Sequence, residues 1–296
     1  MEKKTGRMNR RLKITGTWLW VLAVLITLFS AYYQRTTGPT HPIKGTARVG
    51  NQDIRYKLLR SSEATKDARI AFKAPDGFAG VAFFKRYKSQ DPLKAMILAR
   101  EGEELAAYIP SLPPAGKMEY YIVVRNGPSE ARFPAAPAVI RFKGSVPAYI
   151  TILHVLFMFA AMLIAARAGL EAITGGAGLN RFAWWTFITL LIGGFVFGPI
   201  MQHYAFGDWW TGVPLGWDLT DNKTLIALIA WIVALVVIAR SGGMPAAKAA
   251  KRARWASFIA AFIMLAVFMI PHSLFGSELD YSKPANGAPS AVVNIK

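Results

Sequence analysis

The sequence predicts a membrane α-helical bundle of five transmembrane helices, with an all-β, sandwich-like extracytoplasmic domain inserted after the first. Three observations lead there. Five long apolar runs lack charge, a turn-punctuated β-rich segment separates the first two, and basic residues gather on one side of the resulting topology. Hydrophobic residues make up 53% of the 296-residue chain and charged ones 18%. Collected into runs, that balance belongs to a membrane protein and not to a soluble core.

The runs are Ile14–Tyr33, Ala148–Ala166, Phe182–Gln202, Thr224–Ala239 and Trp255–Ile270. With about 1.5 Å of rise per residue, the first three can cross a hydrocarbon layer of roughly 30 Å. The last two reach only about 24 Å, so they are expected to stand upright or to meet a thinned bilayer. A basic head before an apolar run also fits a cleaved signal peptide. This run instead ends in Tyr32-Tyr33 with no small-x-small site, and an uncleaved anchor over residues 14–33 is expected.

Orientation follows from the cations. The head, residues 1–13, holds Lys3, Lys4, Arg7, Arg10, Arg11 and Lys13 against Glu2, and "RSGGMPAAKAAKRAR" holds five cations and no acid. Arg167 and Arg181 flank the turn between the second and third runs. Placing these segments in the cytoplasm satisfies the positive-inside rule. The tail, residues 273–296, and loop 203–222 then face outward from a bacterial-type inner membrane. Eight of the nine Trp fall at run ends, as interfacial belts require; Trp231 alone is mid-run. Cysteine is absent, which excludes disulfides, thiolate metal sites and covalent c-type haem.

Residues 39–144 alternate short β-rich runs with turns. The runs are "KGTARV", "IRYKLL", "ARIAFKA", "GVAFFKRY", "KAMILAR", "ELAAYI", "MEYYIVV" and "AVIRFK", and the separators include "APDG", "PSLPPAGK" and "RNGPSE". Eight short strands spaced by turn signals predict an antiparallel sandwich. The stretch "PPAGKMEYYIVVRNG" resembles a late strand of immunoglobulin-like and fibronectin-type-III domains, where a Tyr packs across a corner. The resemblance covers residues 44–143, and it implies a fold and no activity. The segment is basic, so an acidic protein partner or an anionic surface is one expectation, and a plain solvated surface is the other. Nucleic acid is not expected outside a membrane. "TGGAGLN" lacks the ending of a phosphate loop and reads as a connector.

Candidate site residues gather at the outer side. The chain has four His. His41 falls in the linker "TGPTHP", whereas His154, His203 and His272 fall near the outward ends of the second, third and fifth runs. Titratable groups at that depth normally face protein or water. With short fourth and fifth spans, the loop "MQHYAFGDWWTGVPLGWDLTDNKT" is expected to lie low over the four-helix part, residues 148–272. That would bring Asp208, Asp218, Glu278 and Asp280 towards the imidazoles. Imidazole with carboxylate suits a transition metal such as copper or iron. Two facing imidazoles suit haem b, and a His beside an acid suits quinol oxidation.

Each of these residues also has a plain alternative. A rim His can simply hydrogen-bond a carbonyl, Asp221 can cap the fourth helix, and Trp209, Trp210 and Trp217 can anchor at the interface. Gly193, Gly194 and Gly198 can serve close helix packing, and Pro199 can kink the helix end. No Ser or Cys nucleophile arrangement, paired intramembrane carboxylate or inverted repeat is visible, which disfavours transport. Two expectations therefore stand. One is a haem- or metal-binding, quinol-linked electron-transfer subunit with its site on the outer face. The other is a non-enzymatic scaffold that binds a protein partner through the β domain.

Overall fold

A computed structural model describes residues 2–271, 278–279, 281 and 292–293, with backbone alone for 2–15 and 292–293. Helix α1 spans Glu2–Thr37, so the basic head and the first run form one continuous helix. Helices α2 (Ala148–Thr174), α3 (Leu179–Phe206), α4 (Leu219–Ala239) and α5 (Ala246–Met269) follow. All five have a stretch long and apolar enough to cross a membrane. The short fourth and fifth spans are corrected. At 21 and 24 residues and about 1.5 Å each, α4 and α5 reach about 32 and 36 Å, because both helices extend through polar residues ahead of the apolar runs. Asp221 accordingly sits in the first turn of α4, where its charge favours the helix dipole, and not at the cap.

The chain forms two compact units. One comprises α1, α2, α3 to residue 201, α4 and α5. Its core is built on small residues: Ala161, Ala165 and Ala168 of α2 are fully packed, as are Ala227 and Ala234 of α4 and Ala260 of α5. Such residues let helix backbones approach where no hydrophobic drive separates protein from lipid. A Cβ on Gly169 would meet Ala261 at 2.9 Å, and one on Gly193 would meet the Met158 backbone nitrogen at 3.0 Å. Close packing is therefore what Gly193 supplies. Trp231 is fully buried, and its Nε1–H donates to Met264 Sδ at 3.2 Å.

Helix ends in this unit are closed by side chains. Arg254 of α5 donates to the last carbonyls of α2, Nε to Ala172 O at 2.7 Å and Nη2 to Ile173 O at 2.9 Å. At the opposite end of α5, Lys223 Nζ donates to Ile270 O at 2.6 Å and Gln34 Nε2 to Phe268 O at 2.7 Å. These are the carbonyls an α-helix leaves without a partner. "TGGAGLN" is the expected connector: Gly175 adopts φ 76 and its N–H returns to Glu171 O, a left-handed cap that favours glycine. The Glu171 carboxylate accepts from Gly178 N and from Arg167 Nη1.

The second unit holds residues 38–146, residues 202–218 and the described tail. Its strands are β1 (Ile43–Val49), β2 (Gln52–Leu58), β3 (Ser61–Glu63), β4 (Ala68–Lys73), β5 (Ala79–Arg86), β6 (Lys94–Ile97), β7 (Ala99–Glu101), β8 (Glu104–Ile109), β9 (Lys117–Asn126) and β10 (Ser129–Lys143). β11 (Glu278–Leu279) and β12 (Val292–Val293) form a separate pair. A five-stranded sheet has the order β3-β10-β9-β5-β6, a three-stranded sheet β4-β8-β7, and β1 pairs with β2. Pairing is antiparallel throughout except β3 with β10. Inward residues alternate strictly along β9, where Met118, Tyr120, Ile122 and Val124 are buried, as a half-buried strand requires. They share one core with Ile70 and Phe72 of β4 and Leu105 of β8.

Two details differ from the sequence reading. "KAMILAR" divides at Leu98, so β6 joins one sheet and β7 the other. β10 begins at Ser129, well ahead of "AVIRFK", and tolerates its prolines through a register shift between Phe133 and Ala138. A proline cannot donate to a ladder, and an irregularity accommodates it. The hairpin at "RNGPSE" turns on Gly127-Pro128 with Gly127 at φ 56, a conformation open to glycine at the first loop position. On β9, the Tyr120 hydroxyl donates to Leu59 O at 2.7 Å, 61 residues away. It ties the β2–β3 connection to the core. Tyr120→Phe leaves that carbonyl without its donor and is expected to cost about 1–3 kcal/mol, measured as a fall in the unfolding midpoint of the detergent-solubilised chain.

Candidate functional site

Loop 202–218 and the tail are built into the β unit, and there they meet the basic end of its strands. The Gly144 N–H donates to Ala205 O at 2.9 Å, and the Arg141 guanidinium lies 3.9 Å from the Phe206 ring centroid. Arg141 is 7% exposed. Burial pulls its pKa down to about 10, against the opposing attraction of the Asp218 and Glu278 carboxylates. Asp218 is buried, and its N–H bonds Thr211 O at 2.9 Å. Gln202 Nε2 donates to Thr211 Oγ1 at 2.6 Å, which closes the loop on itself.

The tail docks beside this point. Glu278 lies between two ammonium groups, Lys88 Nζ at 2.7 Å and Lys117 Nζ at 2.6 Å. The Leu279 N–H is directed at Ala115 O at 3.4 Å. The Arg86 guanidinium sits 4.6 Å from the Tyr281 ring centroid while holding Asp91 through Nε and Nη2 at 2.5 and 2.6 Å. Lys117 and Glu278 are only 15% and 14% exposed, so the pair is poorly screened. Burial pulls Lys117 down, with Glu278 pulling the other way. Burial raises Glu278, but the Lys117 and Lys88 hydrogen bonds outweigh it and hold the carboxyl below its ordinary value. The Arg86 hydrogen bonds hold Asp91 at about 2.

Backbone conformation marks the same place. Lys88 at φ 55 and Ala115 at φ 68 are the two non-glycine residues with positive φ among the described residues. One supplies an ammonium to Glu278 and the other a carbonyl to Leu279. Side-chain-bearing residues adopt this region at a cost and tend to do so where a clamp or ligand site over-determines them. The built features of this site are thus two lysines, an arginine–tyrosine stack and a strained carbonyl around a short extended acidic segment.

The histidines are distributed differently. His154 lies on α2 in the helical unit, and its Nδ1 is 3.0 Å from Gly193 O. Gly193 belongs to a π-helical stretch of α3, Ile192–Phe197, and the same carbonyl receives the Gly198 N–H. The ring passes near Gly198, where a Cβ would lie 3.8 Å from its Cε1. His203 lies in the β unit. Its Nδ1 is 2.9 Å from Gly207 O, and its ring stacks on Trp209 with centroids 4.3 Å apart. His272 and Asp280 lie outside the described residues. Asp208 is half-buried on the loop, and Glu278 is engaged by lysines. Among the described residues, no three His, Asp or Glu side chains form a group suited to a metal ion.

Sequence reasoning missed Lys88, Lys117, Arg86 and Tyr281. The available signals were a basic domain and the lone acidic stretch "SELDY" in the tail. No model of a known protein family matches the chain, and neither curated proteins nor solved structures yield a match.

The folded carboxyl of Glu278 titrates below its ordinary value of 4.5. Its contribution to docking is therefore complete above about pH 4.5 and lost as pH falls through the lowered value. Exchange of the Leu279 amide is expected to be slow at neutral pH relative to an open tail and to accelerate on acidification. Glu278→Gln should show the fast rate already at pH 7.

Proposed function

We propose that the chain is a multi-pass membrane protein with a cytoplasmic N-terminus. Its β unit, a sandwich of immunoglobulin-like order, lies outside and works as a scaffold that takes an acidic, aromatic peptide segment from a protein partner. The basic loops at the other helix ends support this orientation through the positive-inside rule. The strand order, with a five-stranded and a three-stranded sheet over one core, supports the sandwich.

One observation carries the scaffold reading: the β unit already holds such a segment, its own Glu278 between Lys88 and Lys117 with Tyr281 under Arg86. Charge-assisted hydrogen bonds to a poorly exposed carboxylate are the stronger kind, and an extended segment is a common recognition element. A partner segment of the same chemistry would use the same groups. The test is a fluorescent peptide with the sequence of residues 276–283 and the full chain bearing Glu278→Lys, which repels the tail. Saturable binding, weakened at least tenfold by adding Lys117→Glu, is expected. Binding indifferent to Lys117, or none at all, would remove the reading.

A second reading rests on His154. A ring whose Nδ1 is fixed by a backbone carbonyl presents Nε2 in a set orientation, the arrangement typical of metal-ligating histidine, and π-helical turns are frequent at functional sites. On this reading His154 supplies one ligand to haem b or to copper or iron, or accepts a proton from a quinol. Absorption and metal analysis of the detergent-purified chain test it. A Soret band or stoichiometric metal that disappears in His154→Ala is expected, whereas a colourless protein that takes up neither haem nor copper contradicts it.

A further inference from the structure

Between α4 and α5 runs a groove of about 800 Å³. Its walls are aliphatic, with Ile229 and Val233 on one side and Ile259 and Ile263 on the other, and its mouth carries Lys248, Lys251 and Arg252 beside Trp255. From Lys251 to Ile263 is twelve residues along one helix, about 18 Å of rise. That is slightly more than half of a hydrocarbon layer of roughly 30 Å, the depth of a single leaflet.

The mouth has charge to spare. Residues 240–254 contain five cations and no acid. Arg254 is consumed by the α2 carbonyls, and among the described residues the hydrogen-bond partner of Arg252 Nη1 is Met244 Sδ at 3.4 Å. Lys248 and Lys251 make no hydrogen bond or ion pair among the described residues. Trp255 is exposed at the depth where indoles sit among headgroups. An aliphatic slot one leaflet deep under a cluster of uncompensated cations matches the two halves of an amphiphile. A second copy of the chain would bring like charges together, and a neutral lipid would leave the mouth unbalanced.

We propose that this groove is a binding site for an anionic glycerophospholipid of the cytoplasmic leaflet. The phosphate sits at Lys248, Lys251 and Arg252, and an acyl chain lies along Val233 and Ile263. Basic pockets between membrane helices on the cytoplasmic side recognise anionic headgroups in this way. The proposal rests on the membrane reading above, which carbonate extraction of cell membranes tests separately.

The experiment is native mass spectrometry of the full chain in detergent, titrated with phosphatidylglycerol or phosphatidylcholine. At least tenfold preference for phosphatidylglycerol is expected. Neutralising the mouth with Lys248→Gln, Lys251→Gln and Arg252→Gln should bring that preference close to one. Val233→Trp, which fills the slot and leaves every charge in place, should also lower retention severalfold. Equal binding of the two lipids by the unaltered chain overturns the proposal. Undiminished phosphatidylglycerol binding in Val233→Trp overturns it as well, since it would mean that the cations act as a general surface. A chain that resists carbonate extraction yet shows no preference refutes the lipid site alone, and a chain released by carbonate refutes the membrane reading beneath it.

Discussion

A backbone carbonyl without a donor is costly in an apolar setting, and this chain meets that constraint with side chains sent across from neighbouring helices. Lys223 and Gln34 reach the end of α5, and Arg254 reaches the end of α2. His154 Nδ1 also lies 3.0 Å from Gly193 O inside the π-helical stretch of α3, a carbonyl that already receives the Gly198 N–H. Each contact places a polar group where the apolar runs stop or distort. The lengths of α4 and α5 follow from the same logic, since Asp221 and Lys223 remain helical and buried. An uncharged-run rule therefore begins α4 too late: it counts Lys223 as a boundary, whereas the fold uses it as a clamp.

Much of the fold was legible because two local patterns are strong. Alternation along "MEYYIVV" gives β9, and the uncharged runs give five helices. What local pattern cannot supply is a partner. Nothing in "KAMILAR" announces that Leu98 is where the chain leaves one sheet for the other. Nothing near Tyr120 announces that its hydroxyl closes on Leu59.

The candidate site was legible only in fragments. Histidines were prominent in the sequence because they are scarce, and grouping them by depth assumed that the outer loop lies on the helices. The loop belongs to the β unit, with Phe206 against Arg141 and Asp218 buried beside Thr211. Lysines were inconspicuous because the chain holds 35 Lys and Arg. What distinguishes Lys88 and Lys117 is position: a left-handed backbone at one, low exposure at the other, and a shared carboxylate between them. Glu278, an acid that the sequence placed within reach of the outer histidines, is the residue those lysines hold.

Scaffold and lipid site alike depend on the helices crossing a bilayer with the β unit outside. The absence of native cysteine makes that directly measurable with single cysteines and a membrane-impermeant maleimide on intact spheroplasts. The proposed orientation predicts that Glu103→Cys, on the β7–β8 turn, is labelled at once. Gly243→Cys, between α4 and α5, should be labelled only after the membrane is opened. Equal labelling of the two from the same side would contradict it.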